Sequence, residues 1–173
     1  IDMFAFFPAQ SFGMALTTFV GQNIGAGKMH RVKEGLRATM LMSVLCGIGA
    51  MVLVLTCGPN MMHLFSQEAA VVEAGMDYLR PVMYLLFAIM NTVLSVLRGA
   101  GDMVFPMITS LLSLWIIRLP MAYLFSYWFG KEYIFFSYGG GWLIGMTMAI
   151  IYYFTGRWKK KAVVSKESEE GLQ

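Results

Sequence analysis

Apolar residues fall in long, uninterrupted blocks separated by short polar stretches. Met3 to Gly27 holds no charge across 25 residues, and Ala38 to Cys57 holds none across 20. Pro81 to Leu97 is uncharged across 17, and Tyr78 and Leu79 extend it behind Arg80. Met103 to Gly130 is broken only by Arg118, and Tyr133 to Gly156 is uncharged. A helix needs about 20 mostly apolar residues to cross a bilayer. The pattern therefore predicts an all-α integral membrane chain with five spans, near 3–27, 38–57, 78–97, 103–130 and 133–156. Together they form one helical bundle over 1–157. Residues 158–173 are polar and charged and read as a tail. Five blocks in series do not resemble a cleaved leader. The chain opens with Ile1 inside an apolar block, so further sequence upstream is expected.

Lys and Arg in the connections set orientation. Lys28, Arg31, Lys33 and Arg37 follow the first span, and Arg98 follows the third. Arg157 and, in the tail, Lys159, Lys160, Lys161 and Lys166 follow the fifth. The second connection has Glu68, Glu73 and Asp77 before Arg80, and the fourth has Lys131 beside Glu132. Basic and non-basic connections alternate, which puts the C-terminus in the cytoplasm and the start of the chain outside. This implies a multi-pass membrane chain. Tyr127, Trp128, Tyr133 and Trp142 near the outer turn, and Tyr152, Tyr153 and Trp158 near the inner end, fit interfacial aromatic belts. Ser66 can cap a helix with Glu68 in its first turn; running to Leu97, that helix is about 47 Å long and overhangs the membrane.

Composition agrees with the blocks. Of 173 residues, 58% are apolar or aromatic and 13% are charged, against about 25% charged in soluble domains. The mean hydropathy is +0.64. A soluble domain, a disordered chain and a collagen are excluded. Cys46 and Cys57 stand 11 residues apart on one predicted helix, about 16 Å, too far for a disulfide.

Polar residues within the spans recur at helical spacing. Gln10, Thr17 and Gly21 share a face, as do Tyr84, Ala88, Asn91 and Ser95, and Pro106, Ser110, Ser113, Ile117 and Pro120. Such faces either pack helices closely or line a water-filled pathway. The pairs Gly21–Gly25 and Gly141–Gly145 have the spacing of close helix contacts. Pro8, Pro106 and Pro120 each remove a helix hydrogen bond and invite a kink. Arg118 has 15 block residues before it and 12 after. Its burial costs roughly 2.5–3.5 kcal/mol on insertion scales, so it must snorkel, stack on an aromatic ring or face a cavity.

Catalytic chemistry is missing from the pattern, and an enzyme is not expected. His30 and His63 are isolated, and no span offers Asp, Glu or His at metal-binding or acid–base spacing. No cofactor is predicted. The run Gly21-Gln22-Asn23-Ile24-Gly25-Ala26-Gly27-Lys28 fails the phosphate-loop pattern, which needs Gly at Gln22 and Ser or Thr at Met29. It reads instead as a helix end and tight turn. The basic tail reads as a topology signal in contact with anionic lipid rather than a nucleic-acid site.

Three stretches together carry a resemblance. They are Thr18-Phe19-Val20-Gly21-Gln22-Asn23-Ile24-Gly25-Ala26-Gly27-Lys28, then Leu97-Arg98-Gly99-Ala100-Gly101-Asp102 with Pro106, then Trp115-Ile116-Ile117-Arg118-Leu119-Pro120-Met121-Ala122-Tyr123. With Gly141-Trp142 and Gly156-Arg157-Trp158, they resemble the multidrug and toxic compound extrusion (MATE) family over nearly the whole chain apart from the tail. The resemblance implies a twelve-span secondary antiporter of two six-helix lobes. Such a protein exports small cationic, amphipathic compounds in exchange for Na⁺ or H⁺ by rocking one lobe against the other. The spans would be the eighth to the twelfth, and an N-terminal lobe of the same chain would be the partner. Both Gly-rich turns would lie on the cytoplasmic side, with Arg98 and Asp102 able to pair across the second. Gly21, Gln22, Asn23, Gly25, Ala26, Arg98, Gly99, Gly101, Asp102, Pro106 and Pro120 would then be motif residues with structural roles. Gln10, Thr17, Tyr84, Asn91, Ser95, Ser113 and Arg118 are the candidates for lining a substrate cavity.

One departure stands out. Some family members carry an acid in the tenth span; here the matching span offers Asn91, Thr92 and Ser95. The coupling carboxylate is therefore expected in the N-terminal half. A related flippase for lipid-linked saccharides is the nearest rival, and it would need several cavity cations where one deep Arg is visible. A non-transporting membrane receptor or scaffold is the other rival; its expected extramembrane domain is not visible.

Overall fold

The structure is a computed structural model that describes residues 2–63, 82–130, 133–134 and 136–160. Ser66, the acidic connection, the start of the third predicted span, Lys131, Glu132 and residues 161–173 lie outside the described residues. Among the described residues the regular structure is all helical, with no strand. Helix α1 spans Asp2–Gly25, α2 spans Met29–His63 and α3 spans Val82–Gly99. A continuous helical stretch comes next: α4 (Val104–Leu111), a wide π-helical segment (Leu112–Ile117) and α5 (Arg118–Trp128). Helix α6 covers Phe136–Thr155 and the short α7 covers Arg157–Lys160. Met29–Gly58 and Val104–Trp128 are long and apolar enough to cross a membrane by length and composition, and Met83–Gly99 is a shorter apolar helix.

Helix α3 is the axis. It packs against α1, α2, α4 and α6. Leu94, Val96 and Leu97 are at most 1% exposed and join Leu16, Val20, Val32, Ala149 and Trp158 in one core. Its closest neighbour is α1, and glycine sets the distance. A Cβ on Gly99 would stand 2.5 Å from the Thr17 carbonyl oxygen and 2.7 Å from Val20 Cβ. One on Gly13 would stand 2.5 Å from Asn91 Nδ2 and 2.7 Å from Ser95 Oγ, and one on Gly21 would stand 3.3 Å from the Gly99 carbonyl. Backbones this near let polar side chains of one helix reach carbonyls of the other. Asn91 Nδ2 donates to the Ala9 carbonyl at 2.9 Å. Thr17 Oγ1 lies 2.9 Å from the Gly13 carbonyl and 3.2 Å from that of Ser95.

Both Gly-rich turns are helix C-caps. Lys28 N–H bonds the Asn23 carbonyl and Gly27 N–H that of Ile24, with Gly27 at φ +69°. Asp102 N–H bonds the Leu97 carbonyl and Gly101 N–H that of Arg98, with Gly101 at φ +86°. The left-handed residue lets the chain reverse while the last carbonyls stay paired. One detail of the first connection differs from expectation. The polar stretch after α1 is only a turn, and Arg31, Lys33 and Arg37 belong to the opening turns of α2. Once Gly27 has closed α1, the straight-chain Lys, Arg and Glu residues propagate a helix well. Helix α2, with 35 residues, is about 52 Å long.

The prolines behave differently from one another. Helix α1 runs through Pro8. Pro106 sits in the first turn of α4, where no helical partner for its nitrogen is lost. Pro120 lies just beyond the π-helical segment, in which Arg118 N–H reaches back five residues to the Ser113 carbonyl. Pro120 has no N–H for the Ile116 carbonyl, and its ring crowds that group; the widened turn accommodates it.

These contacts predict the cost of a single methyl group. Gly99→Ala forces α1 from α3 and lowers stability by about 1–3 kcal/mol. Gly49→Ala, with nothing within 4 Å of its Cβ, causes no loss. Thermal unfolding of the full-length protein in detergent distinguishes the two.

Candidate functional site: a cavity beside helix α3

A cavity of about 400 Å³ opens between α1, α3, the π-helical segment and α6. Phe6, Phe87 and Trp142 wall one side, with ring centroids 4.7–5.7 Å apart in edge-to-face geometry. Gln10, Asn91, Ser110 and Ser113 supply polar groups, and Arg98 and Arg118 supply two cations. Among the described residues no carboxylate lines it.

The polar groups are held in place. Asn91 is 5% exposed; its Oδ1 lies 3.4 Å from an Arg98 guanidinium nitrogen, while its amide binds α1. Ser113 Oγ donates to the Gly141 carbonyl of α6. Gly141 and Gly145 make room for this contact, since a Cβ on either would stand 3.1–3.2 Å from a Ser113 oxygen. Ser110 Oγ is turned back to the Pro106 carbonyl. The Arg118 guanidinium carbon stands 3.2 Å from the centroid of the Tyr138 ring. Stacked there, the guanidinium gains cation–π attraction worth about 0.5–2 kcal/mol.

Of the residues picked from sequence, Gln10, Asn91, Ser113 and Arg118 come together at the cavity. Thr17 and Ser95 lie in the α1–α3 seam, and Tyr84, 4% exposed, packs edge-on to Phe6 at 5.2 Å. Two stripes run side by side on α3. Tyr84, Ala88, Asn91 and Ser95 are all buried, whereas Phe87, Met90, Asn91, Leu94 and Arg98 line the cavity. Asn91 belongs to both. The expected face Pro106–Ser110–Ser113–Ile117–Pro120 breaks at the π-helical segment. Its extra residue per turn rotates the residues beyond it, so Arg118 reaches the cavity while Pro120 is exposed.

The motif residues of the two Gly-rich turns lie together, Gly21 beside the Gly99 carbonyl, whereas Pro120 stands apart beyond the π-helical segment. Asn23 is buried and donates from Nδ2 to the Phe19 carbonyl at 2.8 Å. Gln22 and Gly25 in the last turn of α1, and Ala26 just beyond it, are exposed, with the Gln22 carbonyl bonded by Ala26 N–H. Asp102, 2% exposed, accepts the Tyr152 hydroxyl at 2.6 Å. Phe105 stacks on Tyr152 with centroids 3.7 Å apart and planes 7° from parallel. Asp102 thus ties the α3–α4 turn to α6, while Arg98 reaches back along its own helix to Asn91.

The MatE family model matches residues 1–124. The chain belongs to the MatE family. The probable multidrug resistance protein YpnP of Bacillus subtilis is 32% identical over 161 residues, covering 92% of this chain and 36% of its own length. The probable multidrug resistance protein NorM of Thermotoga maritima is 26% identical over 182 residues, covering 99% of this chain and 38% of its own. Human multidrug and toxin extrusion protein 1 is 26% identical over 113 residues, covering 64% of this chain and 20% of its own. The chain therefore spans little more than a third of the first two relatives. No solved structure matches significantly.

In this MatE family member the aromatic wall was not legible in the sequence: Phe6 and Phe87 look like ordinary residues of apolar blocks, and Trp142, expected in the outer aromatic belt, packs on both of them at the cavity. The spacing Phe87–Asn91–Leu94–Arg98 was the available signal, flanking the more conspicuous polar stripe. Tyr152→Phe keeps the stack on Phe105 and removes the bond to Asp102. It lowers stability by about 1–3 kcal/mol, the range for taking a hydrogen-bond partner from a buried polar group. Tyr127→Phe, at a 75% exposed position, has no effect in the same unfolding measurement.

Proposed function

We propose that this chain is part of a plasma-membrane multidrug efflux antiporter. It moves small cationic, amphipathic compounds outward in exchange for Na⁺ or H⁺ by alternating access. The cavity carries the reading: a largely apolar, aromatic-walled space with a few anchored polar groups suits flat amphipathic cargo, and the chain is a MatE family member. Aromatic faces attract organic cations. In this reading the helices are five membrane spans of the second six-helix lobe, the eighth to the twelfth of twelve, with the C-terminus cytoplasmic. Helices α1, α3 and the π-helical segment face an N-terminal lobe. That lobe supplies the carboxylate which both cargo and coupling ion need, as the lining residues here are aromatic, neutral or cationic. Membrane lipid covers the apolar residues left exposed on α2, among them Leu41, Leu45, Val52 and Leu55.

One observation favours a second reading. Arg98 and Arg118 both border the cavity, and guanidinium groups suit a phosphate. A flippase of lipid-linked saccharides would use them on its pyrophosphate.

The test is ethidium efflux from proteoliposomes holding the full-length protein under imposed Na⁺ or pH gradients. Efflux driven by one of these gradients is expected. Trp142→Leu and Asn91→Leu each cut it roughly tenfold, equivalent to about 1.4 kcal/mol of lost binding. Gradient-independent movement of a lipid-linked saccharide, without ethidium efflux, selects the flippase.

A further inference from the structure

A second cavity, of about 440 Å³, lies at the end of the bundle where the two Gly-rich turns gather. Its walls come from the start of α2 and from the α6–α7 junction. Lys33 and Arg37 stand one helical turn apart on α2, and Lys159 approaches from α7. Trp158, 2% exposed, forms the floor. Its ring stacks on Tyr153 with centroids 5.5 Å apart, and its indole N–H donates to the Tyr153 carbonyl at 3.0 Å. Lys159 Nζ sits 5.7 Å from the centre of the same ring.

Three cations around a rigid aromatic floor repel one another, and like charges at i, i+4 destabilise a helix. Among the described residues no carboxylate lines this cavity. Glu34, the nearest acid along α2, borders a different hollow with Ala15, Phe19 and Ala38. At the rim, Phe154 is 80% exposed. An anion flanked by hydrocarbon matches this set: cations for the charge and an exposed phenyl ring for a chain. Basic pockets at the cytoplasmic ends of membrane helices hold lipid headgroups by this chemistry.

We propose that Lys33, Arg37 and Lys159 form a binding site for the phosphate of an anionic membrane lipid, with its acyl chains lying along Phe154. The inference rests on the helices being membrane spans. It is independent of the cargo and the coupling ion, so a failed transport assay leaves it standing.

The experiment takes the protein at the full length its gene encodes, in detergent micelles doped with phosphatidylglycerol or phosphatidylcholine, and counts retained lipid by native mass spectrometry. Retention of phosphatidylglycerol at least about fivefold above phosphatidylcholine is expected, with about fivefold lost for each cation removed. Arg37→Gln with Lys159→Gln abolishes the preference, while Lys28→Gln, outside the cavity, preserves it. Should the double variant not purify, each single variant gives the same test at about fivefold. An equal preference for both lipids overturns the proposal, as does a double variant that retains phosphatidylglycerol like the parent. Displacement of the lipid by equimolar inorganic phosphate also overturns it, because the site would then take the free anion.

Discussion

The close approach of α1 to α3 is the constraint on which the other features depend. Helices in a membrane gain little from burying apolar surface against each other, so contact must come from packing and hydrogen bonds. Gly13, Gly21 and Gly99 remove the side chains that would hold the backbones apart. Asn91 and Thr17 then reach across to main-chain oxygens. With α3 fixed against α1, the stripe of α3 carrying Phe87, Asn91 and Arg98 is held at the cavity, where Trp142 packs on Phe87 and Ser113 also joins the lining. Polar atoms at the cavity edge are anchored by their bonds to backbone, which is what a preorganised binding surface requires.

The π-helical segment performs a second positioning task. A regular helix from Met103 to Gly130 would carry Ser110, Ser113, Ile117 and Pro120 on one stripe. The wide turn ahead of Pro120 rotates the later residues, and Arg118 comes to the cavity above Tyr138. A charge that is expensive in an apolar span is thereby given an aromatic partner and polar surroundings. The same segment leans on α6 through Ser113, and Gly141 and Gly145 let it do so.

Much of this architecture was legible in the residues. Uncharged blocks marked the helices, Gly27 and Gly101 marked their ends, and the Gly141–Gly145 spacing marked a close contact. Asn91 stood out because a carboxamide inside an apolar helix needs partners. Other features left no local trace. Gly13 carries no spacing signature, and its role depends on the side chains of Asn91 and Ser95 on another helix. The widened turn arises from Pro120 acting four residues upstream, which a 3.6-residue stripe does not register. Phe87 is an ordinary member of an apolar block, and Trp142 looks like an interfacial aromatic, until tertiary packing brings them face to edge. Trp158 looks like an interfacial aromatic, yet the chain turns at Gly156 and buries it under α2.

The most direct measurement is thiol labelling inside the first cavity. With Cys46 and Cys57, both exposed, and every other cysteine of the full-length protein replaced by Ala, Ser110→Cys places one thiol at the wall. A small water-soluble thiosulfonate is expected to modify it, and ethidium to slow the modification several-fold. Labelling that proceeds at the same rate with saturating ethidium, in protein that exports ethidium, would contradict the assignment of this cavity as the cargo site.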